Sequence, residues 1–208
     1  MVTEVSRAAY SGRAAEYIDL LGSMDSVHPS DRQLVSTWAG TVDGDILDAG
    51  CGPGHWTNLL AENGNTARGI DVVPEFITHA RNTFPGVSFT LGSLDSLDAD
   101  LGSVGGILCW YSLIHHEPEA LRVTLRRLSL ALKPGGTLLV GFFEGPLVEE
   151  FAHAVTPAYR WPVDLLGAEL IAAGFDVLES HSRKTTGQRS HGAIVARRRE
   201  DPVPDGVR

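Results

Sequence analysis

Cysteines and long apolar segments are both scarce in this sequence. The chain has only two cysteines, Cys51 and Cys109, and no Cys-x-x-Cys motif, so neither a disulfide framework nor a structural zinc site is expected. No apolar run approaches the roughly 18 residues that a membrane-spanning helix needs. Charged residues also interrupt the first 16 positions, where a signal peptide would be apolar. We therefore expect a cytoplasmic protein that does not associate with membranes.

Positive charge is also in deficit. The chain carries 17 lysines and arginines against 26 aspartates and glutamates, and its net charge is −9. Proteins that neutralise the phosphates of DNA or of anionic membranes usually carry the opposite excess. Nucleic acid is therefore not expected as a partner.

Histidines are scattered, apart from the adjacent His115 and His116. Neighbouring side chains point in different directions on a strand or a helix, so these two do not form a metal pair by themselves. No metal site is expected.

Short apolar segments alternate with helix-like segments from residue 45 onward, which suits a single domain. The predicted strands are 45–49, 68–72, 87–91, 106–111, 137–143, 175–182 and 193–198. This alternation predicts an α/β fold with a doubly wound, mostly parallel, seven-stranded sheet and helices on both faces. The last two strands lack a helix between them, so the final strand is expected to be antiparallel. Such sheets bind ligands at the carboxyl ends of their strands.

The first 40 residues precede the sheet and look helical. Residues 4–21 predict an amphipathic helix with Tyr10 and Tyr17 on one face, and residues 31–39 predict a second helix that Ser30 or Asp31 caps. We expect residues 1–40 to form a helical lid and residues 200–208 to be a flexible tail. A plain packing stripe is the alternative interpretation of the two tyrosines.

A glycine-rich loop follows the first predicted strand. Residues 48–54 read Asp-Ala-Gly-Cys-Gly-Pro-Gly, and glycines let a ligand approach the backbone closely. A dinucleotide-binding fingerprint would need its third glycine at position 55, which is His55. No Gly-Lys-Ser/Thr follows, so a P-loop is excluded. Asp48 precedes the loop and favours a cationic ligand over a phosphate.

A second acidic residue, Asp71, ends the second predicted strand, 21 positions after Gly50. A carboxylate at this place accepts hydrogen bonds from ribose hydroxyls in nucleotide-binding sheets. A helix cap is the alternative interpretation of Asp71 alone.

Four segments together resemble the class I S-adenosylmethionine-dependent methyltransferases, and in particular the small-molecule type 11 or type 25 domains. They are residues 46–54, 69–72, 132–138 and 172–175, and the similarity spans about residues 40–198. The resemblance implies the strand order 3-2-1-4-5-7-6 and a methyltransferase domain over residues 41–199. It also implies that S-adenosyl-L-methionine is the cofactor and S-adenosyl-L-homocysteine its product.

The resemblance also implies cofactor-binding roles for ten residues. Gly50, Cys51 and Gly52 would adjoin the methionine part, Asp48 its amino group, Asp71 the ribose, Val72 the adenine, Ser93 and Leu94 the adenine edge, and Cys109 and Trp110 the methionine arm. Ser93 stands where the family usually has an aspartate.

The loop after the fourth strand should face the transferred methyl group. His115 is the expected general base or acceptor-orienting residue, because imidazole titrates near neutral pH; a packing role is the alternative. The substrate pocket is expected to draw on five other side chains, those of Tyr10, Tyr17, Tyr111, Arg160 and Trp161. Arg160 could pair with an acidic group of the substrate, and a surface salt bridge is the alternative interpretation.

The function that these observations favour is S-adenosylmethionine-dependent methyl transfer to an O, N, S or C atom of a small molecule, by a monomer or homodimer. One alternative is methylation of a protein or a nucleic acid. Another is a cofactor-binding protein of the same fold with a non-methylating catalytic or regulatory role.

Overall fold

A nine-stranded β-sheet forms the middle layer of the computed structural model, which describes residues 4–95, 97, 102–185, 187 and 189–200. The strands are β1 Ile46–Ala49, β2 Ala67–Asp71, β3 Ser88–Leu91, β4 Val104–Trp110, β5 Leu132–Glu144, β6 Glu149–Phe151, β7 Ala158–Trp161, β8 Phe175–Arg183 and β9 His191–Arg198. The helices are α1 Glu4–Ser11, α2 Ala14–Leu21, α3 Pro29–Ala39, α4 His55–Glu62, α5 Pro74–Thr83, α6 Pro118–Ala131 and α7 Val163–Ala172, with a short 3₁₀ helix at Met24–Ser26. The expected tail, 200–208, lies outside the described residues except for residue 200.

The sheet has the strand order that the sequence predicted. Strands β3, β2, β1, β4 and β5 are neighbours in that order and run parallel. Strand β9 then pairs antiparallel with β5, and β8 pairs antiparallel with β9. Strands β8 and β9 are the sixth and seventh of the seven predicted strands, so the order is 3-2-1-4-5-7-6 with an antiparallel last strand. The prediction is confirmed.

Strands β6 and β7 were not predicted. They form a short antiparallel hairpin, and β7 extends the sheet by pairing parallel with Phe143 and Glu144 at the end of β5. At three and four residues they are too short to show an alternating pattern in the sequence.

Alternating side chains of the central strands supply the two apolar layers. Ile46, Leu108 and Leu139 pack with α3 and α4 on one face. Leu47, Ile107 and Leu138 pack with α6 and α7 on the other. Burial on both faces explains why these strands are apolar almost throughout.

The N-terminal segment contains two helices, so the prediction of one helix over 4–21 is wrong. The chain leaves helical geometry at Gly12 and Arg13, where Arg13 has φ −125° and ψ 15°. Glycine weakens a helix at this point, and the Arg13 guanidinium donates to the carbonyl of Ala154 instead of lying along a helix.

Helix α3 begins at Pro29, two residues before the predicted start. Its cap is His28, whose Nδ1 accepts a hydrogen bond from the Ser30 amide at 3.2 Å. Asp31, one of the expected caps, instead forms an ion pair with Arg183. None of the helices in the described part of the chain is both long and apolar enough to cross a membrane.

Candidate functional site

A cavity of about 650 Å³ lies at the carboxyl ends of the parallel strands, beneath the N-terminal helices. The loops that follow β1, β2, β3 and β4 form its floor and sides, and residues of α1 and α2 close it from above. The strand order reverses between β1 and β4, so this is the switch point where open α/β sheets bind ligands.

The glycine loop adopts a backbone conformation that other residues rarely take. Gly50, Gly52 and Gly54 have φ values of 83°, 52° and 93°. A Cβ on Gly50 would lie 2.2 Å from the Cβ of Ser112, whereas a Cβ on Gly52 would meet nothing within 4 Å. Gly52 therefore leaves an open place over the backbone, which a side chain would fill and a ligand can use.

Asp71 ties this loop to the neighbouring strand and helix. Its Oδ2 accepts a hydrogen bond from the Gly52 amide at 2.9 Å, and its Oδ1 accepts one from the Val73 amide at 2.8 Å. Burial raises the pKa of Asp71, and these backbone hydrogen bonds oppose the shift. The carboxylate lines the cavity and keeps further lone pairs for hydroxyl donors, so anchoring α5 and binding a ligand are compatible roles.

Asp48 lies beneath the loop and does not line the cavity. Its side chain is 1% exposed, and Thr57 Oγ1 donates to its Oδ2 at 2.6 Å. Burial raises the pKa of Asp48 to about 7, although the Thr57 hydrogen bond opposes this. Asp48 is therefore placed to act through the loop rather than to contact a ligand directly.

The remaining predicted cofactor residues divide into two groups. Cys51, Val72, Ser93, Leu94 and Trp110 line the cavity together with Gly50 and Gly52. Cys109 is fully buried in β4 and is not among the lining residues. Ser93 Oγ accepts a hydrogen bond from the Asp95 amide at 3.0 Å.

His115 and Tyr10 meet at the cavity. The Nδ1 of His115 lies 2.8 Å from the Pro157 carbonyl oxygen, which can only accept, so Nδ1 carries the proton. The Tyr10 hydroxyl therefore donates to Nε2 at 2.8 Å. Burial lowers the pKa of His115, which keeps the ring neutral. His116 turns the other way, is buried, and has its Nε2 3.7 Å from Asp95.

A row of rings continues from this pair along the cavity. Tyr111 bonds through its hydroxyl to Nδ1 of His191, and Phe143 lies between Tyr111 and His153. Sequence reasoning missed Phe143 as a cavity residue, and it missed His153 and His191 altogether. His191 reaches the site only because β9 pairs antiparallel with β5, opposite Phe143, and no local motif signals such a pairing.

Three of the five predicted substrate residues line the cavity and two do not. Tyr10, Tyr17 and Tyr111 line it. Arg160 forms an ion pair with Glu149 at 2.9 Å, and Trp161 is buried in the core against α7. The structure does not bring Arg160 and Trp161 to the cavity, because Glu149 holds the Arg160 guanidinium and the core beside α7 holds the Trp161 ring.

The buried carboxyl of Asp48 makes stability depend on pH. Its pKa is about 7 in the folded protein and about 3.9 when the group is exposed to water. The free energy of unfolding therefore falls as the pH rises from about 4 to about 7 and this carboxyl ionises. We predict that Asp48→Asn removes this loss, so the stability of the variant relative to wild type rises from pH 4 to pH 8. Urea unfolding at several pH values measures it, with the exposed Asp19→Asn as the control. A relative stability that does not change with pH would contradict the assignment.

Comparison with known proteins supports the assignment of the fold. Residues 46–136 match the family model described as a methyltransferase domain. The 2-heptyl-1-hydroxyquinolin-4(1H)-one methyltransferase of Mycobacteroides abscessus is 29% identical over 68% of this chain and 64% of its own length. The trans-aconitate 2-methyltransferase of Methylobacterium nodulans is 37% identical over 46% and 36%. The chain thus spans about one to two thirds of these relatives.

Solved structures share the architecture at low sequence identity. The 1,6-didemethyltoxoflavin-N1-methyltransferase of Burkholderia thailandensis has a TM-score of 0.79 at 22% identity, covering 95% of this chain and 88% of its own. The [4+2]-cyclase SpnF has a TM-score of 0.69 at 18% identity, covering 82% and 81%. With the family match, these findings show that the chain has the class I methyltransferase fold and that residues 46–136 are similar to a methyltransferase domain.

Proposed function

We propose that this protein transfers the methyl group of S-adenosylmethionine to a small-molecule acceptor, as a monomer or homodimer. One observation carries the proposal: a single cavity joins the glycine loop and Asp71 to the Tyr10–His115 pair. It therefore offers a cofactor cradle and an acid–base pair in the same enclosed space.

The residues at one end of the cavity fit the cofactor. The open backbone at Gly52 allows close approach, and the Asp71 carboxylate can accept two vicinal ribose hydroxyls. Val72 and Leu94 supply apolar surface for the adenine. The buried acids, Asp48 and Asp71, suit a ligand that carries positive charge on sulfur and nitrogen.

The Tyr10–His115 pair would handle the acceptor's proton. When bound, S-adenosylmethionine supplies an electrophilic methyl group that an acceptor atom attacks in line. Tyr10 can take a proton from an acceptor hydroxyl or amine while it passes its own proton to Nε2 of His115. The Pro157 carbonyl holds the ring in the tautomer that makes this transfer possible.

The N-terminal helices would close the site. Tyr10 and Tyr17 lie 5.6 Å apart between ring centroids and pack on Phe76 of α5. We propose that residues 1–40 act as a lid that excludes water during transfer, over a catalytic domain of residues 41–199.

The named relatives support a small-molecule acceptor. Three of them are named for a hydroxyquinolinone, for trans-aconitate and for O-methylation in ubiquinone biosynthesis. Because SpnF is a cyclase on the same fold, a non-methylating role is the second candidate. Cofactor binding without methyl transfer to any acceptor would favour it.

The first test of this proposal is cofactor binding. We expect calorimetry to give a micromolar-scale dissociation constant for S-adenosylmethionine and no binding of NAD. Asp71→Ala should weaken binding at least about tenfold, since each charge-assisted hydrogen bond is worth about 1.5–3 kcal/mol. Asp164→Ala removes an exposed carboxylate from the first turn of α7 and is the control. NAD binding without S-adenosylmethionine binding would refute the proposal.

The second test of this proposal is the transfer of the acceptor's proton to Tyr10 and His115. His115→Asn should lower turnover by about 10²–10⁴-fold while leaving cofactor affinity nearly unchanged. Tyr10→Phe should lower turnover in the same way, because it removes the hydroxyl that connects the acceptor to His115.

The pH profile adds an independent check on the base role. Burial lowers the pKa of His115, so wild-type turnover should fall only below the ordinary imidazole value of about 6.5 and be flat above it. The surface variants His181→Asn and Tyr159→Phe serve as controls. A loss of only a few-fold, with lowered melting temperature and no pH dependence, would show that His115 and Tyr10 only pack.

A further inference from the structure

The cavity beyond the cofactor cradle is walled by a connected row of aromatic and imidazole rings. Phe143 lies 5.1 Å from Tyr111, 5.6 Å from His191 and 5.9 Å from His153, between ring centroids. His153 in turn lies 5.4 Å from His115. All five rings line the cavity, and we call them the ring wall. These separations are typical of aromatic pairs in contact, so a further flat ring would pack against the cavity side of the ring wall rather than between its members.

The imidazoles of the ring wall are electrically neutral. Burial lowers the pKa of His153 to about 4, and it also lowers the pKa of His191 and of His115. At neutral pH these rings therefore offer one hydrogen-bond donor and one acceptor each, without a charge. They suit a ligand with polar edges better than an anion.

The arginines of the cavity are already neutralised. Among the described lining residues, three arginines occur, and each is paired with a carboxylate: Arg7 with Glu4, Arg13 with Glu16 at 2.8 Å, and Arg183 with Asp31 at 2.7 Å. A polycarboxylate or a phosphate would have to break one of these pairs to find a cation among the lining residues; Arg189, which lies over the Phe143 ring at 5.9 Å, is not a lining residue. The electrostatics therefore disfavour a polyanionic acceptor.

Tyr111, one of the five residues of the ring wall, has a strained backbone conformation. Its φ of 58° makes it the one non-glycine residue with a positive φ in the described part of the chain. Such strain persists where the surroundings enforce it, and it concentrates at ligand sites. Here the Trp110 ring packs edge-on to Tyr111 at 5.5 Å, and the hydroxyl bonds to Nδ1 of His191. This pair places a hydroxyl group and an imidazole beside the apolar ring of Phe143.

We propose that the acceptor, on the assumption that the chain is a methyltransferase, is a planar aromatic or heteroaromatic molecule with an ionisable hydroxyl or ring N–H. Its ring stacks in the ring wall beside Phe143, its polar edge meets the Tyr111–His191 pair, and its reacting group reaches Tyr10. The acceptor's proton moves to the Tyr10 hydroxyl, which passes its own proton to Nε2 of His115. The electron pair left on the acceptor atom forms the new bond to the methyl carbon as the bond from sulfur to that carbon breaks.

The test compares a flat ring with a polycarboxylate. Calorimetry measures the binding of 1-hydroxyquinolin-4(1H)-one and of trans-aconitate to the protein saturated with S-adenosylhomocysteine. We expect the ring compound to bind at least tenfold more tightly. Equal or tighter binding of trans-aconitate would overturn the proposal.

Two variants and one control test whether the ring wall binds the ring compound. Phe143→Leu keeps an apolar side chain but removes the ring, and should weaken binding of the ring compound about threefold to tenfold. Phe84→Leu makes the same change at the end of α5, outside the cavity, and should leave binding unchanged. Tyr111→Phe tests the polar anchor in case Phe143→Leu fails to fold. Unchanged binding in a folded Phe143 or Tyr111 variant would overturn the proposal.

Mass spectrometry of the products separates this inference from the function on which it rests. Methylation of trans-aconitate, but not of the ring compound, would leave methyl transfer standing and overturn the acceptor class. Tight ring binding that depends on Phe143, without cofactor binding, would support the aromatic site and overturn methyl transfer.

Discussion

The hydrogen bonds from the Gly52 and Val73 amides to the Asp71 carboxylate connect the parts of the site. One acid thereby fixes the glycine loop after β1, the end of β2 and the first turn of α5. The amides of Gly50 and Cys51 add to this by donating to the carbonyl of Ile70, directly before Asp71. The cavity floor is thus a set of backbone groups held in place before any ligand arrives, and preorganised donors and acceptors bind without further ordering.

The two ends of the cavity differ in their electrostatics. Asp71 lines the floor and Asp48 lies beneath it, and burial raises the pKa values of both acids, whereas burial lowers the pKa values of the histidines in the ring wall. Both shifts have the same cause, since burial penalises the charged form of any group. A positively charged ligand at the floor relieves the penalty on the acids. A neutral ligand at the ring wall leaves the histidines uncharged and able to accept a proton.

The parts of this arrangement that could be predicted from the sequence are those with a local signature. The alternation of strands and helices predicted the sheet, the resemblance to a known family implied its strand order, and the glycine loop with Asp71 predicted where the ligand site lies. The break at Gly12 was not predicted, because the amphipathic pattern continues through it.

The ring wall also could not be predicted from local sequence patterns. His153 lies in a loop without a motif, and His191 depends on the register between β5 and β9, which the strands' burial patterns do not determine. Arg160 was expected either to pair with an acidic group of the substrate or to form a surface salt bridge, and the structure shows an ion pair. Its true partner, Glu149, lies on a hairpin that the sequence gives no sign of.

The most direct test of this account is a crystal structure of the protein with S-adenosylmethionine bound. The account predicts both ribose hydroxyls within about 3.2 Å of the Asp71 carboxylate and the methyl carbon facing the Tyr10–His115 pair and the ring wall. A cofactor whose ribose lies away from Asp71, or whose methyl group faces away from Tyr10, would contradict it.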